Sequence, residues 1–321
     1  MRALRKTLRA LLLNIMTNKF YSNGKLLITG EYLVLNGAKA LALPTKFGQS
    51  LQVSSIVEKK ISWISFDTDK SVWFETELTF EDIILKRDFE KEHPIKHTLV
   101  EILHQANLQN PDFLASETGY KIETELTFPR NWGLGTSSTL INNIAQWLQI
   151  DAFELLRKSF GGSGYDIACA QHNSAITYQL NEEELPIVEV VDFNPNYTEN
   201  IYFVYLNKKQ NSRHAIQNYM NKQQFLTKKT VTISEITTKI IQSPNLETTT
   251  DLLNHHEIIL SDILEMETVK ERLFPNFKGT IKSLGAWGGD FVMVLSKENP
   301  THYFTSKGYE TILTYEEMIL V

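Results

Sequence analysis

The sequence predicts an α+β protein of two domains. The chain has 321 residues, which suits two domains of about 100–200 residues each. Both halves mix strand-like alternation with helical spacing, and neither holds a long strand–helix–strand series. A polar, Pro- and Asn-rich connection at 183–200 separates them. The division expected from this is 16–195 and 196–321, with residues 1–15 as an extension outside the fold.

The elements follow in order. KLLITGEYLVL (25–35) reads as two short strands around a Thr29-Gly30-Glu31 turn. Segments 49–57, 61–66 and 71–80 are β-branched or alternating and read as strands. Ile95, Leu99, Ile102, Leu103 and Ala106 have helical spacing over 96–107. Segment 120–128 alternates and stops at Pro129. Leu140, Ile141, Ile144, Ala145 and Leu148 mark a helix over 138–150. A short helix at 165–172 and a strand at 174–180 come next. Beyond the connection, 201–206 and 290–296 read as strands, and 211–222, 231–241 and 249–268 as helices.

Composition narrows the function. Hydrophobic residues make up 42% and charged residues 22%, as in globular chains. The net charge of -6 argues against a general nucleic-acid binder. A single cysteine, Cys169, excludes a disulfide framework, suits a reducing compartment and reads as a core residue. No run of 18 apolar residues occurs, so no membrane span is expected. Residues 1–15 are basic and Leu-rich, and a targeting segment is the alternative reading. These features suit a cytoplasmic protein, monomer or homodimer, with a small-molecule partner and neither nucleic acid nor membrane.

Glycine is scarce but clustered. There are 15 glycines, about 5% against a usual ~7%. Ten fall in four stretches: 24–30, 133–135, 161–164 and 285–289. Such clusters mark sharp bends or close backbone approaches. The second, Pro129-Arg130-Asn131-Trp132-Gly133-Leu134-Gly135-Thr136-Ser137-Ser138, follows a strand and opens a helix. Free amides and the helix dipole there favour a phosphate, and the hydroxyls suit phosphate or Mg²⁺. A capped helix after a tight turn explains the stretch equally well. It is neither G-x-G-x-x-G nor a P-loop. In the third stretch, Ser163-Gly164-Tyr165-Asp166 sets a carboxylate at a helix start, as a cap or as a base for a substrate hydroxyl. In the first, Lys25 and Glu31 flank a strand, where a lysine beside phosphates would offset charge. The fourth, Ser283 to Asp290, precedes a strand and reads as a turn or a ligand wall. His255-His256-Glu257 reads as a polar helix face, since adjacent histidines point apart.

Together the four stretches resemble the GHMP kinases. Asn23-Gly24-Lys25 through Gly30-Glu31 is similar to their first motif. Pro129, Gly133, Leu134, Gly135, Thr136 and Ser137 match P-x-x-x-G-L-G-[ST]-S, and Ser163-Gly164-Tyr165-Asp166 matches S-G-x-D. Gly285, Ala286, Gly288 and Gly289 are similar to the third motif. The resemblance spans about residues 20–295. It implies an N-terminal, ATP-binding domain like ribosomal protein S5 domain 2 and a C-terminal ferredoxin-like domain, with ATP in a cleft between them. It implies nucleotide binding by Asn131, Trp132, Gly133, Leu134, Gly135, Thr136, Ser137 and Ser138, and Mg²⁺ at Ser137. It makes Asp166 the base and Lys25 its catalytic partner. Glu31, Ser163, Gly164, Arg213, Gly285 and Gly288 are the expected substrate contacts. The GYDIA run at 164–168 is similar to a bacterial subset nearest the mevalonate branch. Asn23 stands where the family has proline, and Trp287 where it has glycine. The family's acidic Mg²⁺ ligand has no match; Glu154 lies in the corresponding gap without being assigned.

The expected activity is an ATP- and Mg²⁺-dependent kinase acting on a small anionic metabolite, mevalonate or phosphomevalonate. The basic run Lys208, Lys209, Arg213 and His214 would grip the anion, or forms a solvated turn. The alternatives are a non-catalytic ligand-binding protein of this fold and an ATP-dependent decarboxylase.

Overall fold

The computed structural model describes residues 17–208, 219, 226–285, 287 and 289–320. Its elements run in the order β1 (Asn18–Thr29), β2 (Ala40–Ile56), β3 (Lys60–Phe66), β4 (Val72–Thr79), α1 (Phe80–Ile84), α2 (Pro94–Gln109), β5 (Gly119–Leu126), α3 (Thr136–Leu148), α4 (Ala152–Ser159), α5 (Tyr165–Ala170), β6 (Ile176–Leu180) and β7 (Pro186–Val190). They continue with β8 (Ile201–Tyr205), α6 (Thr227–Ile241), α7 (Leu246–Leu264), α8 (Val269–Leu273), β9 (Thr280–Ser283), β10 (Phe291–Leu295), α9 (Thr301–Thr305), β11 (Ile312–Thr314) and α10 (Tyr315–Met318). The helix expected over 211–222 lies outside the described residues, Tyr219 excepted. Among the described residues no helix is long and apolar enough to cross a membrane.

Contacts divide the chain into two units of interleaved segments. The first comprises 1–22, 49–127 and 140–161; the second comprises 23–48, 128–139 and 162–321. Strands β1 and β2 and helix α3 pass from one unit into the other.

In the first unit β3 pairs antiparallel with β4 and parallel with β5, and β5 pairs antiparallel with residues 49–56 of β2. Alternation in β3 buries Ile61, Trp63 and Ser65 on one face. The Trp63 indole donates to Ser65 Oγ at 3.0 Å, so its one polar atom is satisfied inside the core. Helix α3 is tied to the strands by amides. Ser22 Oγ donates to Asn143 Oδ1 (2.8 Å), Asn142 Nδ2 donates to Ser22 Oγ (2.8 Å), and Asn143 Nδ2 donates to Gln49 O (2.8 Å).

In the second unit residues 40–42 of β2 pair antiparallel with β6, which pairs with β7. A separate antiparallel sheet has the order β11-β8-β10-β9. Its core gathers Val204, Val269, Phe274, Phe277, Ile281, Val292, Val294 and Phe304, with the Phe274 and Phe304 rings edge to face at 5.0 Å.

Two expectations are corrected. Leu33–Asn36 is a 3-10 turn, not a strand. Gly30 (φ +88°) and Gly37 (φ +78°) reverse the chain on either side, and Val34 N–H donates to Gly30 O. Strand β2 also begins at Ala40 rather than 49. Its Ala-Leu-Ala-Leu start is buried on both faces, so it lacks the alternation that marks a half-exposed strand.

Candidate active site

The glycine loop is held by Lys25 and by a ring of aromatics. Gly133 (φ +72°) and Gly135 (φ +98°) adopt left-handed conformations that turn the chain into α3. Leu134 between them is fully buried and pins the loop. Its carbonyl accepts the Lys25 N–H at 3.0 Å, and the Lys25 ammonium donates to Gly133 O at 3.3 Å. Gly24 allows this approach: a Cβ there would stand 2.6 Å from Thr45 Oγ1 and 3.0 Å from Leu134 O. Trp132 meets Phe47 and Phe291 edge-on at 5.4 and 5.3 Å, and Tyr205 Oη donates to Asn131 O at 3.0 Å. Thr136, Ser137 and Ser138 form the first turn of α3, where amides lack helical partners. Thr136 Oγ1 is buried without a hydrogen-bond partner. An orphaned hydroxyl beside a glycine loop at a helix N-terminus fits a phosphate or its cation.

The third stretch brings Asp166 to the same place. Gly164 (φ +92°) is the N-cap of α5, and Asp166 lies in its first turn. The Tyr178 hydroxyl donates to Ser163 O and steadies this turn. The Lys25 ammonium lies 5.6 Å from the centre of the Tyr165 ring. Burial works against the Lys25 charge, but Tyr165, Asp166 and Asp290 outweigh it and hold its pKa above the ordinary lysine value. Asn23, where the resemblance has proline, has a purpose of its own. Its amide donates to His172 O (2.9 Å) and to Asn173 Oδ1 (2.8 Å). This ties the Lys25 strand to the turn after the Asp166 helix, a link proline cannot make.

The fourth stretch supplies a carboxylate, Asp290, whose place against the glycine loop has no local sequence signal. A Cβ added to Gly133 would meet the Asp290 carboxylate at 2.4–2.6 Å. Asp290 is left-handed (φ +52°), as is the buried Trp287 (φ +52°), whose indole donates to Glu267 O at 3.3 Å. Gly285 (φ +68°) is described; Gly288 is not. Lys209, Arg213 and His214 also lie outside the described residues, and Lys208 is exposed. Glu154 is in the first turn of α4, in the other unit from Lys25.

Glu31 turns into a buried ionic cluster. The Lys282 ammonium donates to Glu31 and lies 3.1 Å from Glu257, whose carboxylate also accepts from Ser283 Oγ at 2.9 Å. His256 Nε2 accepts the Gly30 N–H at 3.0 Å and stands 3.4 Å from Glu31. All four groups are at most 3% exposed. Burial pushes Glu31 up to about 7 against the pull of Lys282, raises Glu257, and drives His256 well below the usual histidine range. The expected polar face at 255–257 is therefore corrected: His255 is exposed, but His256 and Glu257 are core. The signal was present, because 253, 256, 257 and 260 share one helical stripe with Leu253 and Leu260. Cys169 is fully buried, as expected.

No protein-family profile matches the sequence, and no curated protein matches it. Solved structures do match. Methanococcus jannaschii mevalonate kinase aligns with TM-score 0.68 at 15% identity, over 95% of this chain and 98% of that one. Streptococcus pneumoniae phosphomevalonate kinase, solved with phosphomevalonate and AMPPNP, aligns with TM-score 0.66 at 13% identity, over 95% and 98%. Lactococcus lactis galactokinase, solved with galactose, aligns with TM-score 0.61 at 13% identity, over 99% and 100%. The fold is that of the GHMP kinases. Its two sheets are consistent with the expected S5 domain 2-like and ferredoxin-like halves. Neighbours with this GHMP kinase fold differ in acceptor, since galactose and phosphomevalonate are both represented.

Proposed function

We propose that the chain is an ATP- and Mg²⁺-dependent kinase that phosphorylates a small metabolite. The observation that carries this is the grouping of Lys25, Asp166 and the 133–138 loop in one unit, with Lys25 bonded to the loop and influenced by Asp166. Asn131 to Ser138 would hold the nucleotide phosphates, with Ser137 toward the metal; the orphaned Thr136 hydroxyl supports this fit. Bound with ATP, Mg²⁺ would neutralise charge on the phosphates. Asp166 would take the proton of an acceptor hydroxyl, or orient an acceptor phosphate oxygen, as that oxygen bonds to the terminal phosphorus and the bond from phosphorus to the departing ADP oxygen breaks. Lys25, kept charged, would offset the charge on the transferred group. The division of labour is positioning plus electrostatics, as such transfers require.

For the acceptor we propose mevalonate or phosphomevalonate. The GYDIA run at 164–168 and the mevalonate-type neighbours support this branch. Ser163, Gly164, Gly285 and Gly288 would line the acceptor, Glu31 would set the Gly30 turn beside it, and Arg213 would grip its anionic end. The test is ADP production with mevalonate, phosphomevalonate and galactose as acceptors. Asp166→Asn should keep ADP binding within about twofold and lose on the order of 10²–10⁴ in kcat. Near-normal turnover in that variant removes Asp166 from the role of base.

A further inference from the structure

We propose that Tyr165 is the positioning residue for the Lys25 ammonium, a neutral partner that leaves the Asp166 carboxylate to the acceptor, a role that rests on the kinase reading above.

The strand that carries Lys25 lies along the helix that carries Asp166. Asn23 and Lys25 are alternate residues of β1 and point to one face of it. The Asn23 amide reaches His172 O and Asn173 Oδ1, just past the end of α5. Lys25 reaches the other end: its ammonium lies 5.6 Å from the centre of the ring of Tyr165, the first residue of α5. Two strand residues span about 7 Å and this helix about 9 Å, so one face of β1 grips α5 near both ends. The start of α5 is itself fixed. Tyr178 Oη donates to Ser163 O, and the Ala168 N–H donates to Gly164 O at 3.1 Å. On the side of the glycine loop, a Cβ on Gly135 would stand 3.4 Å from Lys25 Cγ and Cε, so the loop packs against the methylene stem. Gly133 O takes one ammonium proton at 3.3 Å. The loop therefore holds the stem, and Tyr165 holds the charged head from the helix side.

The choice of a phenol has a chemical reason. Lysine has a flexible four-carbon stem, and one carbonyl leaves its head free to turn. A carboxylate paired directly with the ammonium would fix it but would lose proton affinity. Asp166 acts on the Lys25 charge by Coulomb attraction alone, whereas Tyr165 adds a side-chain hydrogen bond. Burial holds the Tyr165 phenol above the ordinary tyrosine value, so it is a neutral partner at pH 7. Adjacent helix residues point about 100° apart, so Tyr165 and Asp166 serve separate partners from one turn.

The test is a double-mutant cycle on ADP production by the full chain: wild type, Tyr165→Phe, Lys25→Met and the two combined. Tyr165→Phe keeps the ring and removes the hydroxyl. It should lower kcat about tenfold and leave both KM values within about twofold, as for a lost hydrogen bond to a charged group. In the Lys25→Met background the same change should cost less than about twofold, because the group that Tyr165 positions is gone. An equal cost in both backgrounds, or no cost in either, overturns the proposal. Lysine ¹⁵N NMR reads the same contact without turnover. The Lys25 ammonium protons should exchange with water several-fold faster in Tyr165→Phe than in the wild type, and an unchanged rate also overturns it. If the wild type makes no ADP with any acceptor, the kinase reading fails, and the exchange rate still decides whether Tyr165 holds Lys25.

Discussion

Single residues at this site are specified by what a neighbour needs. Lys25 serves as strand, loop anchor and cation at once, since its backbone bonds Leu134 and its ammonium bonds Gly133. Gly133→Ala tests the crowding. It places a side chain at φ +72° and against the Asp290 carboxylate. The expected loss is about 1–2 kcal/mol from the backbone alone, read by denaturant unfolding. An unchanged midpoint would mean that the carboxylate swings aside freely and the backbone strain is absorbed. Lys25, Gly133, Gly135 and Asp166 could be singled out from the sequence because glycine spacing reports backbone conformation, which is local. The contact of Asp290 with Gly133 is not legible there, because nothing in the sequence says which loop its carboxylate faces.

Elements show the same division. Strands β3 and β5 and helix α2 were readable because each buries one face, and period 2 or 3.6 records that burial. The start of β2 and the turn at 33–36 were not. The first is buried on both faces, and the second has an apolar run bent by flanking glycines. Helix α3 is fastened by polar groups rather than by packing alone. Asn143 is fully buried and bonds both Ser22 Oγ and Gln49 O. Asn143→Ala should cost about 2–4 kcal/mol through lost partners and a cavity. Urea denaturation measures it, and a loss under about 0.5 kcal/mol would show that water replaces the amide.

At the scale of the molecule, the Glu31–Lys282–Glu257–His256 cluster joins residues from the 30-turn, α7 and β9. It ties stability to pH. Glu31 is raised from 4.5 to about 7, so the folded state keeps a proton that the unfolded chain releases. Its contribution is full below about 4.5 and is lost as pH rises through about 7. His256, held neutral, contributes with the opposite sign: its part is present above 6.5 and lost as pH falls below it. Glu31→Gln separates the two. The Tm advantage of wild type over this variant should shrink as pH rises from 5 to 8. A constant difference across that range would mean that Glu31 stays ionised in the fold. The sequence by itself determined the α+β class, the glycine turns and the apolar faces, because backbone freedom and periodic burial are properties of short segments. Only the tertiary structure decided that Lys282 and His256 are buried partners of Glu31 and that Asp290 lies against Gly133. Charge pairing in a core depends on which distant segments exclude water together, and a buried lysine has the same local sequence signature as an exposed one.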